Sequence, residues 1–199
     1  MCDVYSNAIE ERFGFKAPKE YHTLASKGLF KNDGPSVCTE FYEPGSYLWL
    51  NEMEWCSPVE IGSFEFQAYQ LPGLVPFAIT GGGDLWCWHP TMATEQGAPV
   101  LCCYHDDEMA DVYAPNFFTA LFRQALDFCM ASEDDTSIDA SAFLHRWAID
   151  LSGVLPAPWC ARLTDLANSK NRAELAEAID DSEVSFPNKG TRVRWMHFR

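Results

Sequence analysis

Two short motifs combine cysteine and histidine at a spacing that could serve metal binding or nucleophilic catalysis. Cys87 and His89 form the first motif, and Cys102, Cys103 and His105 form the second. Residues two apart in a β-strand lie on one face, so the two motifs converge if their strands pair. Structural zinc sites usually use a cysteine pair two to four residues apart in a turn, which this sequence lacks. A cysteine nucleophile also needs an orienting acid and an oxyanion hole. We therefore predict core cysteines and edge histidines, with no metal, no cofactor and no catalytic residue.

A glycine cluster at residues 80–84 could be mistaken for a phosphate-binding loop. Such a loop places Lys and Ser or Thr directly after its glycines, at the start of a helix. Here Gly82 and Gly83 are followed by Asp84, which would repel a phosphate, and then by an apolar segment at residues 85–88. Two apolar runs on either side of a glycine cluster predict a β-hairpin, because glycine supplies the positive φ that tight turns require. We interpret Asp84 as a structural residue of this turn.

Clusters of carboxylates are the stronger functional signal. One cluster follows a predicted strand and another follows a predicted helix, namely Asp106, Asp107, Glu108 and Asp111, and then Glu133, Asp134 and Asp135. No apolar setting that would raise a carboxyl pKa is evident around them, so acid–base catalysis is not indicated. An acidic surface complements a basic protein and can speed its association by about 10- to 10³-fold. We predict that these residues bind a partner; the alternative is a solvated acidic face.

The aromatic residues of the predicted strands leave two interpretations open. Trp86 and Trp88 share one face of their strand, and Leu85 and Cys87 share the other. Tryptophans in such positions are core residues by default, but Trp and Tyr are also enriched as anchors of protein interfaces. Near the end of the sequence, basic and aromatic residues gather at Arg192, Arg194, Trp195 and Arg199. In so acidic a chain, we interpret this strip as a strand that pairs with acidic neighbours.

The composition describes a folded, acidic protein of 199 residues. Hydrophobic residues make up 47% of the chain and aromatic residues 14%, which excludes a disordered chain. The formal net charge of -15 repels nucleic acid and anionic membranes and attracts basic partners. The start of the sequence shows no signal-peptide pattern, and no stretch reaches the roughly 20 apolar residues of a membrane span. We expect a cytoplasmic protein whose eight cysteines stay reduced.

The order of the predicted elements indicates an α+β fold. Apolar residues at helical spacing occupy the start of the chain, the pattern becomes extended between residues 36 and 101, and helical spacing returns after Pro115. The predicted elements are helices at residues 4–15 and 17–28, strands at 47–50, 60–66, 71–79, 85–88 and 99–104, helices after 115 and at 140–149, 159–168 and 172–179, and a strand at 191–199. This order predicts an antiparallel or mixed β-sheet meander packed by flanking α-helices, and not a doubly wound parallel sheet.

The middle of the chain carries a recognisable set of motifs. They are an apolar strand at residues 76–79, the turn of Gly82, Gly83 and Asp84, an aromatic strand at residues 85–88, and Asn116 with Phe117 at the start of a helix. This set resembles the SUKH superfamily, which includes fungal cell-wall synthesis regulators and many bacterial immunity proteins. We predict a SUKH-like α+β domain at residues 1–131. The remaining residues, 132–199, are predicted to form a helical extension that ends in a strand and packs on the same domain.

The resemblance implies a protein-binding function. Most bacterial members of the superfamily are immunity proteins that bind and neutralise toxins of polymorphic, contact-dependent or type VI systems. The expected partner is therefore a cognate toxin, and the acidity of the chain suits a basic toxin such as a nuclease. The alternative is an intracellular regulatory or scaffold module like the fungal members. The sequence leaves the toxin, the binding face and the oligomeric state open.

Overall fold

The computed structural model of the protein describes residues 3–29, 53–68, 70–131 and 139–197. Its helices are α1 Asp3–Phe13, α2 Lys19–Ser26, α3 Pro58–Ser63, α4 Phe117–Ala131, α5 Ala140–Asp150, α6 Ala157–Asn168 and α7 Arg172–Glu183. Its strands are β1 Met53–Trp55, β2 Val75–Thr80, β3 Leu85–Trp88, β4 Val100–Cys103, β5 Met109–Ala114 and β6 Arg192–Arg194. None of the helices within these ranges is both long enough and apolar enough to cross a membrane.

The chain divides into two compact units, Met1–Phe117 with Asn188–Arg199, and Phe118–Pro187. The chain therefore leaves the first unit at the start of α4 and returns to it with β6. The predicted domain boundary after residue 131 stays a prediction.

The strands of the first unit form a six-stranded sheet in the order β1-β2-β3-β4-β5-β6. Every neighbouring pair is antiparallel, which confirms the predicted α+β meander. In the register of the central strands, Leu85 lies opposite both Ile79 of β2 and Cys103 of β4. At the far edge, Asp111 of β5 lies opposite Arg192 of β6. The predicted C-terminal strand is therefore present, and an acidic strand is its neighbour.

An aromatic cluster fills the core of the first unit around the ring of Trp88. The centroid of that ring lies 4.6 Å from the ring of Phe77, 5.2 Å from that of Tyr21 and 5.6 Å from that of Phe117. Aromatic pairs at such distances contribute about 0.5–1.5 kcal/mol beyond their area burial. Trp86 and Trp88 are both buried. Of the two interpretations of these tryptophans, the core interpretation is right.

The prediction of an extended segment at residues 60–66 is wrong for its first half. Helix α3 occupies Pro58–Ser63, with Ser57 as its N-cap and Pro58 in its first turn. The Ser57 side chain accepts a hydrogen bond from the backbone N of Glu60 at 3.3 Å, and the Glu60 carboxylate accepts one from the backbone N of Ser57 at 2.6 Å. This reciprocal capping box is a helix-start signal that is readable in the sequence. The prediction of a strand relied instead on the alternation of Phe64 and Phe66 with polar residues.

Two strands, β1 and β5, were not among the predicted elements. In β5, Ala110, Val112 and Ala114 are buried and alternate with half-buried residues, as expected of a strand with one covered face. Two of those three residues are alanines, which are depleted in strands, so the alternation was weak in the sequence. The predicted strand at residues 47–50 lies outside the described residues.

The described residues of the second unit are helical. Helices α5, α6 and α7 confirm the three helices predicted there. The Phe122 ring of α4 stacks on the Trp159 ring of α6, with centroids 4.5 Å apart and an interplanar angle of 12°. Arg162 of α6 forms an ion pair of 2.8 Å with Glu183 of α7. Aromatic stacking and this ion pair therefore connect α4 to α6 and α6 to α7.

A close approach between α1 and α3 explains the glycine at position 62. A Cβ atom built on Gly62 would lie 2.8 Å from the Cβ of Ala8, a separation at which one of the two helices must shift. Arg12 of α1 donates a hydrogen bond of 2.9 Å to the Gly62 carbonyl, so the two backbones are held at this distance.

We expect Gly62→Ala to destabilise the protein by about 1–3 kcal/mol, because an added methyl group overpacks the contact with Ala8. Urea unfolding followed by circular dichroism measures this change. The double variant Ala8→Gly with Gly62→Ala should be more stable than the sum of the two single changes predicts, since the second glycine relieves the clash. Gly82→Ala is the matched control, because a Cβ there meets no atom closer than 3.6 Å. A Gly62→Ala protein as stable as the control would contradict the packing argument.

Candidate functional site

The β2–β3 turn at residues 80–84 is the hairpin predicted from Gly82, Gly83 and Asp84. The backbone N of Thr80 donates to the Asp84 carbonyl at 3.0 Å, and the backbone N of Gly83 donates to the Thr80 carbonyl at 2.9 Å. Gly83 has a φ of 92°, which only glycine adopts without strain. The Thr80 hydroxyl accepts a hydrogen bond from the backbone N of Asp84 at 3.0 Å and lies 3.2 Å from its carboxylate. The turn is therefore internally hydrogen-bonded.

The Asp84 carboxylate also ties this turn to the β4–β5 turn. Its Oδ1 accepts a hydrogen bond from the backbone N of His105 at 2.9 Å and another from His105 Nδ1 at 2.7 Å. Within the β4–β5 turn, the backbone N of Asp107 donates to the Tyr104 carbonyl at 3.2 Å. The prediction gave Asp84 a role within its own turn and missed His105 as its partner. The pairing of β3 with β4 ends at Leu85 opposite Cys103, which brings Asp84 close to the residues that follow β4, His105 among them.

The pKa values of Asp84 and His105 move in opposite directions. For His105, the hydrogen bond and charge of Asp84 raise the pKa of an exposed imidazole. For Asp84, partial burial alone would raise the pKa, but hydrogen bonds from His105 and Thr80 outweigh it and lower the pKa of that carboxyl. Each shift favours the charged form of its group. Asp84 and His105 therefore form an ion pair at pH values between the lowered pKa of the carboxyl and the raised pKa of the imidazole.

Most of the first predicted acidic cluster is paired with arginines of β6. Arg192 forms ion pairs with Asp107 and, at 3.1 Å, with Asp111. Arg194 pairs with Glu108 at 2.9 Å. For Asp107, the hydrogen bonds from the backbone N of Met109 and from Arg192 lower the pKa of the carboxyl. The interpretation of the C-terminal strip as a strand paired with acidic neighbours is confirmed for Arg192 and Arg194.

This pairing changes what the first acidic cluster can offer a partner. Ion pairs between exposed side chains contribute little stability, but they reduce the field that three of the carboxylates project. Asp106 is the most exposed member of the cluster and lies beside His105. The second cluster, Glu133, Asp134 and Asp135, lies outside the described residues. Binding of a partner by either cluster stays a prediction.

The two Cys/His motifs do not converge. Strands β3 and β4 pair, but they run antiparallel, so His89 and His105 lie at opposite ends of the pair. His89 Nδ1 bonds the Thr91 hydroxyl at 3.0 Å, whereas His105 bonds Asp84. Within the described ranges, no three His, Cys, Asp or Glu side chains are close enough together to hold a metal ion. The antiparallel register thus removes the convergence on which the metal and nucleophile alternatives depended.

The thiols of Cys102 and Cys103 also lack nucleophilic character. Cys87 and Cys103 share the same face of the sheet and are fully buried. Burial is the main cause that raises the pKa of Cys103 well above its usual value, and it raises the pKa of Cys102 to about 12. A nucleophilic cysteine needs the opposite shift, because the thiolate is the reactive form. Cys102 and Cys103 are therefore core residues, as predicted.

We expect the Asp84–His105 pair to stabilise the protein chiefly between about pH 4 and pH 6.5. The raised pKa of His105 gives a contribution that is complete below its unfolded value of about 6.5 and is lost as the pH rises through the folded value. The lowered pKa of Asp84 gives a contribution that is complete above about 3.9 and is lost as the pH falls through the folded value. Urea unfolding of wild type and His105→Gln should therefore differ more at pH 5.5 than at pH 8.5. His145→Gln, in the second unit, is the control, and an equal or larger difference at pH 8.5 would refute the assignment.

A comparison with protein families identifies the chain. A model of the SMI1 / KNR4 family (SUKH-1) matches residues 5–123. These residues include β1 to β5 and both turns that Asp84 connects, whereas β6 lies beyond the match. No curated protein and no solved structure matches the chain. Since the match spans well over half of the 199 residues, the chain belongs to the SMI1 / KNR4 family (SUKH-1).

Proposed function

We propose that this chain is an immunity protein that binds a cognate bacterial toxin one to one and neutralises it by covering its active site. The observation that carries the proposal is the family match over residues 5–123, which supports a protein-binding role of the immunity or SMI1/KNR4 type. The toxin would belong to a polymorphic, contact-dependent or type VI system.

The charge of the chain favours a basic toxin, such as a nuclease. The net charge of -15 on 199 residues attracts a positively charged protein over a distance set by the ionic strength. The Debye length is about 30 Å at 0.01 M salt and about 8 Å at 0.15 M, so steering by this charge is strong only at low salt. Electrostatic complementarity acts mainly on the rate of association and on the choice of partner.

The chemistry of the described residues is also consistent with binding. Burial holds the thiols of Cys102 and Cys103 in the protonated form. Next to the Asp84–His105 pair, the Thr80 hydroxyl bonds the carboxylate and not the imidazole. A hydrolytic triad needs the hydroxyl on the other imidazole nitrogen. The groups at this end of the sheet are thus arranged to hold two turns in place.

Co-expression with the protein encoded by the adjacent reading frame tests the proposal. We expect the chain to restore the growth of cells that express that protein, and the purified pair to form a 1:1 complex. The association rate constant should fall about tenfold or more between 0.01 M and 0.15 M salt. An unrelated acidic protein of similar size and charge is the control for non-specific attraction. If the chain neither restores growth nor forms a complex, the immunity function is refuted.

The second candidate function is an intracellular regulatory or scaffold module that binds a protein other than a toxin. The family match supports this candidate too, because it is to the SMI1 / KNR4 family and not to a family of immunity proteins alone. The same experiment separates the two candidates. Complex formation without any effect of either protein on growth would indicate the regulatory module.

A further inference from the structure

One large hydrophobic side chain is exposed at the sheet end that Asp84 organises. Tyr104 follows directly on β4, and 42% of its surface is accessible. Tyr104 lies two residues after the buried Cys102, so the two side chains lie on the same face of the sheet. Tyrosine is one of the residue types most often found at the energetic centre of protein interfaces.

Carboxylates lie on both sides of Tyr104 in the sheet. Asp111 of β5 lies opposite Cys102, two residues before Tyr104 and on the same face, and Asp84 directly precedes β3 at this end of the sheet. Asp106 lies two residues after Tyr104 in the chain and is exposed. An aromatic face attracts a cation, and carboxylates at its rim strengthen that attraction. The ring and its rim therefore suit a lysine or arginine side chain.

The adjoining turn presents a glycine that the fold does not need. Gly83 requires its positive φ of 92°, but Gly82 has no such conformation. A Cβ on Gly82 would meet Thr80 at 3.6 Å and His105 at 3.9 Å, which are ordinary contacts. Glycine is entropically unfavourable where its conformational freedom is unused. An exposed glycine of this kind lets a second backbone approach closely, which a side chain would prevent.

The two turns are held in a fixed relation before any partner arrives. Asp84 bonds both the backbone and the ring of His105, whose ring lies against Gly82. Tyr104, next to His105, is thereby placed beside the glycine turn. A surface that is ordered in the free protein loses less conformational entropy on association.

We propose that this end of the sheet, formed by Gly82, Tyr104 and Asp106, is the docking surface for a basic protein partner that lays a lysine or arginine side chain on the Tyr104 ring. The partner's backbone passes over Gly82, and the exposed carboxylate of Asp106 balances the charge of the bound side chain. The docking surface rests on the proposed function, because it names the face that the toxin covers.

The affinity of variants for the protein encoded by the adjacent reading frame tests the docking surface. Isothermal titration calorimetry should show binding weakened at least about tenfold by Tyr104→Ala, because the ring is lost. Tyr104→Phe keeps the ring and should stay within about threefold of wild type. Gly82→Gln should weaken binding at least about tenfold, because its side chain occupies the path of the partner's backbone. Thermal unfolding of each variant, within a few degrees of wild type, would show that the fold is intact.

Two exposed positions in the second unit provide matched controls. Ile149→Ala removes another exposed large hydrophobic side chain, 70% accessible, and Ala161→Gln adds a glutamine to an exposed helix position. Both should bind as wild type does. Wild-type binding with unchanged affinity of the Tyr104→Ala and Gly82→Gln variants would overturn the docking surface and leave the immunity function standing. Absence of binding by the wild-type chain would overturn both.

Discussion

The burial of the Trp88 ring is the interaction on which the first unit depends. Its neighbours come from separate parts of the chain: Phe77 from the adjacent strand, Tyr21 from α2, Phe15 from the connection between α1 and α2, and Phe117 from the start of α4. Removing 150–250 Å² of such a side chain from water is worth about 4–6 kcal/mol, a large fraction of the stability of a typical domain. The Tyr21 hydroxyl donates a hydrogen bond to the Cys56 carbonyl, so the cluster contains this polar group without leaving it unsatisfied.

This core determines how polar residues can be used at the end of the sheet. Strands β2, β3 and β4 are buried along most of their length, so the polar contacts described for this end of the sheet lie in its turns. There, Asp84 serves as an acceptor for groups of two turns, and Arg192 neutralises carboxylates of β5 and of the turn before it. Fixed charge pairs of this kind define geometry more than they add stability. Position, and not the number of carboxylates, therefore decides which acidic residues can meet a partner.

Local patterns in the sequence were sufficient for much of the fold. Alternation of apolar residues around a glycine turn predicts the β2–β3 hairpin, and helical spacing predicts the three helices of the second unit. The capping box of Ser57 and Glu60 was equally local, but the interpretation followed the phenylalanine spacing in its place. Sequence reasoning failed for a different reason at the acidic cluster. Asp111 and Arg192 are 81 residues apart, and no local pattern states which strand lies beside which.

The return of β6 to the first unit sets an order of events during synthesis on the ribosome. The ribosome makes β5, then the whole second unit, and only then β6, which pairs with the free edge of β5. At about 5–20 residues per second, the 81 residues from Asp111 to Arg192 take roughly 4–16 s. In that interval β5 is an unpaired sheet edge, the kind of surface that recruits other chains into aggregates. The carboxylates of Asp107, Glu108 and Asp111 are not yet neutralised by Arg192 and Arg194 at this stage. Like charges along a strand edge disfavour its pairing with a second copy of the same edge.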